Sequence, residues 1–219
     1  MDLKSLVEKS NIEVHQVVKF DDYLPLDLSK NNTLLSDIDL NSETDFTDFV
    51  FNQINKAGKQ VGIGGYAEER SLYSRSDLFE GEEARTIHLG IDIWAIAGTQ
   101  VFAPLDGKVH SFANRKIHGD YGPVIILEHE FDNVSFHTLF GHLSSSSLEG
   151  LQVGKEFVAG EVLGSMGEYN ENFHWPPHLH FQVIQDMQGA KGDYPGVAIA
   201  SQGKYSLNNC PDPSILIFK

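Results

Sequence analysis

The residues with the clearest chemical potential are His178 and His180 in Pro177-His178-Leu179-His180-Phe181-Gln182-Val183, read with His88 and Asp92 in Ile87-His88-Leu89-Gly90-Ile91-Asp92-Ile93-Trp94. Both stretches alternate, the pattern of a strand with one face in a core. On such strands His178 and His180 share a face, as do His88 and Asp92. Leu179, Phe181, Val183, Leu89, Ile91 and Ile93 then point into the core. Two imidazoles and a carboxylate from these strands make the mixed nitrogen and oxygen set that Zn2+ accepts. Three protein ligands leave a fourth tetrahedral position open to water, which marks a catalytic rather than a structural site. In a chain with ten histidines an HxH also arises by chance, so the rest of the chain has to be weighed with it.

Composition limits what such a site could belong to. A chain of 219 residues, 41% hydrophobic, can bury one proper core with extensions. A net charge of −15 argues against nucleic acid, which is bound by Lys and Arg releasing counterions from phosphates, and against anionic membranes. Lys4, Glu8, Lys9, Glu13 and Lys19 interrupt the N-terminal stretch, so no signal-peptide core is expected there. No stretch reaches the length of a transmembrane helix. The single cysteine, Cys210, cannot form an internal disulfide, which fits a reducing compartment. The expectation is a soluble, cytoplasmic protein.

The elements that must position the site divide the chain into an N-terminal partly helical extension (residues 1–65), a core (66–186) and a C-terminal extension that packs back on it (187–219). Residues 2–9 suit a short amphipathic helix. Phe46, Phe49, Val50 and Ile54 fall at helical spacing after a Ser or Asn cap. Residues 58–65, with Val61-Gly62-Ile63-Gly64-Gly65, read as a loop or bulge. The segment from Tyr66 to Phe79 precedes the first site strand and should reach the rim of a cleft. Arg70 or Arg75 in it could hold a carboxylate or phosphate of a substrate, since guanidinium recognises both bidentately. From residue 86 the pattern is strand, turn, strand, with Asp106-Gly107 and Phe131-Asp132-Asn133 as turns, which indicates an antiparallel sheet. The fold class expected is mainly β with α+β extensions. The terminal Ile215-Leu216-Ile217-Phe218 should pack on the sheet.

At this point several separated motifs resemble one family. His88-x-x-x-Asp92 with Gly90 between is followed by Ala97-Gly98-Thr99-x-Val101-x-Ala103-x-x-Asp106-Gly107-x-Val109. Gly141-His142-Leu143, Val153-Gly154, Gly160-x-x-Leu163-Gly164 and His178-Leu179-His180-Phe181 come after, all in order. Together they resemble the M23 zinc metallopeptidases, the lysostaphin-like endopeptidases, over about residues 86 to 184. The resemblance implies an antiparallel core with a cleft holding one zinc, bound by His88, Asp92 and His180. It implies His142 and His178 as the catalytic pair, His178 as general base and His142 toward the oxyanion, with the two roles exchangeable. The substrate implied is a peptide, peptidoglycan fragments included, although the cell-wall assignment has little support without an export signal. Two rivals differ in sequence. A cupin expects a Glu soon after its HxH and a later His, and this chain has neither. A non-catalytic M23-like binding or regulatory module typically loses some of these five residues, and all five are present. His15, His110, His118, His129 and His137 read as bystanders, and His174 as part of a packed loop.

Overall fold

The structure, a computed structural model, describes residues 3–9, 12–75 and 83–218. Helix α1 (Leu3–Lys9), strand β1 (Tyr23–Leu26), helix α2 (Glu43–Lys56) and strand β2 (Val61–Gly64) precede the region of regular alternation. There follow β3 (Arg85–His88), β4 (Ile91–Trp94), β5 (Gln100–Phe102), β6 (Gly107–Arg115), β7 (Gly122–Phe131) and β8 (Val134–Gly141). The rest comprises β9 (Glu156–Phe157), β10 (Val162–Ser165), β11 (His178–Ile184), β12 (Val197–Ile199) and α3 (Gly203–Asn209).

Eight strands form one sheet in the order β1-β2-β4-β11-β8-β7-β6-β9, antiparallel throughout except for the parallel pair β1 and β2. The fold is therefore mainly β, as the alternation implies. β7 and β8 form a hairpin whose turn residues Asp132 and Asn133 both have positive φ (49° and 63°), the mirror-image turn that suits strand twist. α2 starts where expected: the Ser42 side chain accepts from Asp45 N–H at 3.2 Å, and Phe46, Val50 and Ile54 are buried. Along β11, Leu179, Phe181 and Val183 face a cluster that includes Ile91, Ile93, Phe140, Val7 of α1, and Leu216 and Ile217 of the C-terminus. The other face of β11 carries His178, His180 and Gln182.

Three local expectations are corrected. Residues 61–64 form strand β2, paired with β1 and β4, rather than a loop. The glycines are what admit it: a Cβ on Gly62 would collide with Leu26 and Ile54, and one on Gly64 would lie 2.8 Å from Arg70 Nη2. Residues 87–94 are two strands, not one. β3 pairs with β12 while β4 pairs with β2 and β11, and the chain turns at Leu89-Gly90, where a Cβ on Gly90 would meet Phe181 O at 2.6 Å and the His180 ring at 2.8 Å. His88 and Asp92 come together through that turn, not by sharing a strand face. The Asp106-Gly107 turn joins β5 to β6 without pairing them, because β5 pairs with β10 in a separate two-stranded sheet.

Candidate metal centre and catalytic pair

Register puts the site together. In the β4–β11 ladder His180 lies opposite Asp92 and His178 opposite Trp94, while β8 brings Gly141 opposite His180 and so places His142 at its own end. His88 Nε2 lies 3.0 Å from His180 Nδ1. Asp92 Oδ1 lies 3.2 Å from the first and 3.1 Å from the second. Among the described residues this is the one group of His, Cys, Asp or Glu whose ligand atoms are close enough to share a metal ion. All three residues are buried.

The far sides of the rings fix which nitrogens carry protons. His88 Nδ1 lies 2.9 Å from Gly65 O, and a carbonyl only accepts, so Nδ1 is protonated and Nε2 is bare. Gln182 donates its Nε2 to Pro195 O (3.1 Å) and Cys210 Sγ (3.2 Å), which turns its Oε1 toward His180 Nε2 at 2.9 Å. His180 therefore carries its proton on Nε2 and presents a bare Nδ1. Two lone pairs and a carboxylate oxygen converge with no proton among them, an arrangement that repels itself unless a cation sits between. Donor spacings of 3.0–3.2 Å are close to the roughly 3.3 Å expected between tetrahedral ligands at ~2.0 Å from Zn2+, so the residues fit that ion.

His178 and His142 stand beside this group. Their rings are 4.1 Å apart, and His178 also stacks on Trp94 at 4.1 Å. His178 Nδ1 donates to Pro176 O at 2.8 Å, leaving Nε2 bare. His142 adopts a left-handed backbone (φ 61°), held by its N–H to Tyr121 O (2.9 Å) and by Gly167 N–H on its own carbonyl (2.9 Å). Burial pushes His178 down to about 4. Burial, with the neighbouring His178 and His180, pushes His142 well below the usual range. Both are neutral at neutral pH.

Residues 86–192 match the profile of Peptidase family M23. These residues, just under half of the chain, form a segment of the Peptidase family M23 type. Similar solved structures include the catalytic domain of lysostaphin from Staphylococcus simulans, 23% identical, covering 64% of this chain and 86% of that one with a TM-score of 0.44. Helicobacter pylori Csd3 is 24% identical over 57% of this chain and 32% of its own (TM-score 0.36). The catalytic domain of the M23 protein EnpA from Enterococcus faecalis is 22% identical over 54% and 95% (TM-score 0.38). Among curated protein sequences none matches.

Around the M23 segment, the groups that orient His88 and Asp92 come from residues before it. Gly65 holds His88, and Arg70 holds Asp92: its Nη1 donates to Asp92 Oδ2 at 2.5 Å and its Nε to Glu68 Oε2 at 2.6 Å, while Tyr73 OH lies 3.2 Å from Nη1. Arg70 is 1% exposed. Burial works against ionisation of Asp92, but His88 and Arg70 hold its carboxyl well below the usual range. Burial first, then the Arg70 charge, push His88 down to about 4. Arg75 ends a 3-10 turn, Leu72–Arg75; its side chain, like residues 76–79 of the expected rim segment, lies outside the described residues.

The M23 site opens into a cavity of about 250 Å3 whose walls include Arg70, Tyr73, Tyr121, Trp175, His142 and His178, so the described part of the 66–79 segment does reach the cleft. The remaining histidines lie elsewhere. His129 is bound to Asp106 O and Thr138 Oγ1, His110 packs on His137, and His118 packs on His174. Of the site residues missed in the sequence, Gln182 was findable, being the next residue on the HxH face. Gly65, Glu68, Tyr73 and Tyr121 reach the site through long-range packing and leave no local signal.

Proposed function

We propose that this chain is a zinc-dependent peptidase that hydrolyses peptide bonds in short peptides, peptidoglycan-derived ones among them. The observation that carries the reading is the convergence of three proton-free donor atoms, on His88, Asp92 and His180, beside two neutral histidines in one cavity. One zinc held there would polarise a scissile carbonyl and lower the pKa of water toward ~7. The chain's own residues do the rest. Gly65 and Gln182 hold the imidazoles in the tautomers that leave the donor atoms bare. Asp92 offers Oδ1 because Arg70 engages Oδ2. His178, with Nδ1–H fixed on Pro176 O, presents Nε2 to accept the proton of the attacking water and to return it to the leaving amine. His142, across a 4.1 Å ring contact, is placed to donate to the oxyanion. The two assignments can be exchanged, since both rings border the same space.

The test is metal content together with turnover on muropeptides and simple peptides, read by mass spectrometry. Wild type should hold about one zinc per chain. Asp92→Ala and His180→Ala should lose most of it, because two ligands make a poor zinc site. His178→Ala and His142→Ala should keep zinc and lose roughly 10²-fold or more in kcat. Full zinc in the first two variants, or undiminished kcat in the second two, would overturn the assignment.

A further inference from the structure

The charges lining the cavity are not evenly spent. Three arginines, Arg70, Arg85 and Arg115, and three aspartates, Asp92, Asp120 and Asp193, contribute to its wall. Arg70 is engaged by Asp92 and Glu68, and its Nη2 packs beneath Gly64. Arg115 reaches Asp120 at 3.1 Å and Asp193 at 3.0 Å. Arg85, at the start of β3, is exposed and forms no ion pair with any described residue. Three arginines against three aspartates leave the wall balanced, so a bound dication would make it doubly positive inside a chain of net charge −15. Such a cavity favours an anionic ligand.

Size and closure narrow the choice. At about 250 Å3 the space lies below the usual range of ligand pockets, roughly 300–1,000 Å3. Trp175, Tyr73 and Tyr121 wall it and are each under a tenth exposed. It accommodates the end of a chain better than the middle of one, and the anion present at one end of every unblocked peptide is its α-carboxylate. Guanidinium pairs with a carboxylate bidentately. We infer that the cavity takes the carboxyl-terminal end of a short peptide, with the free α-carboxylate against Arg85. The inference rests on the peptidase reading above. From Arg85 to His88 the backbone of β3 advances about 10 Å, so a peptide anchored this way presents a bond within about three residues of its free end.

The experiment compares acetyl-tetraalanine as the free acid and as the C-terminal amide. Binding to zinc-loaded and zinc-free protein is measured by calorimetry and cleavage products by mass spectrometry. The free acid should bind wild type at least tenfold more tightly than the amide. Arg85→Gln should remove most of that difference without weakening the amide, and Arg85→Lys should restore part of it. Equal binding of acid and amide, binding of neither at millimolar concentration, or a preference for the acid that survives Arg85→Gln and vanishes with zinc would each overturn the inference, the last because the metal would then be the carboxylate's partner. If the binding pattern holds while no peptide is hydrolysed, the peptidase reading fails and recognition of the chain end stands.

Discussion

Arg70 stands directly behind Asp92 and is the residue on which the donor set depends most without belonging to it. Its guanidinium occupies Asp92 Oδ2 and leaves Oδ1 facing the bare nitrogens of His88 and His180, and it stabilises the ionised carboxylate where burial opposes charge. Removing one partner of a buried ion pair strands the other, at a cost of about 3–5 kcal/mol. Arg70→Gln should therefore lower the melting temperature and weaken zinc binding about 10–100-fold, the usual scale for groups that orient metal ligands. Chelator competition measures the affinity. Arg70→Lys keeps the charge but not the two-pronged geometry and should fall between. An unchanged zinc affinity in both variants would show that Asp92 needs no such support. At this scale the sequence was informative about which atoms could bind a metal, because HxH and HxxxD declare themselves in residue type and spacing. It was silent on Arg70's attachment to Asp92, since a contact between residues 70 and 92 depends on how three strands assemble.

Elements carry the spacing that brings these residues together, and glycines sit at its tightest points. Gly90→Ala would drive a Cβ against the backbone carbonyl of Phe181 and the His180 ring, and neither β4 nor β11 can withdraw without breaking their ladder. The variant should lose zinc even where it remains folded, a dissociation that a metal assay and circular dichroism together would separate from collapse; full zinc retention would mean that β3 shifts freely. His129 tests the sheet away from the site. Burial pushes it down to about 4 from an ordinary 6.5, so between those pH values the unfolded chain binds the extra proton more readily than the folded one. Its contribution is intact above pH 6.5 and lost as pH falls toward 4, by about 3 kcal/mol at most. His129→Gln should flatten the decline of stability across that window, measured by urea melts at several pH values; an equal slope would place the titration elsewhere. The legible elements were those whose signal is local: alternation in β6 to β8, the Asp132-Asn133 turn, the Ser42 cap of α2. β2 was illegible because Gly62 and Gly64 remove the side chains that would mark a strand. The split of β3 from β4 was hidden because alternation continues through Leu89 and Gly90.

Over the whole molecule, the segment before the M23 match is part of the same body. β2 pairs with β4 beside Asp92, and Phe46 of α2 packs on both Trp94 and Trp175, at 5.9 and 6.2 Å between ring centroids. A chain beginning at residue 66 loses Leu26, Leu28, Phe46, Val50 and Ile54 from one cluster. At about 1.5–3 kcal/mol for each large apolar side chain, that loss rivals the 5–15 kcal/mol by which a domain is stable. The truncated chain should show no cooperative thermal transition and bind no stoichiometric zinc. A sharp transition with zinc bound would make the M23 segment self-sufficient.

The position of those two aromatic residues gives the molecule an optical property. Trp94 and Trp175 are the only tryptophans in the chain, and their rings lie 4.1 and 6.0 Å from that of His178. Intrinsic emission therefore reports on the cleft rather than on the sheet as a whole. If the cleft opens before the sheet melts, as low-stability functional regions do, fluorescence will change at a lower urea concentration than far-ultraviolet dichroism. The same unlabelled signal should respond to zinc and to acetyl-tetraalanine, so filling of the site can be watched directly through the protein's own light.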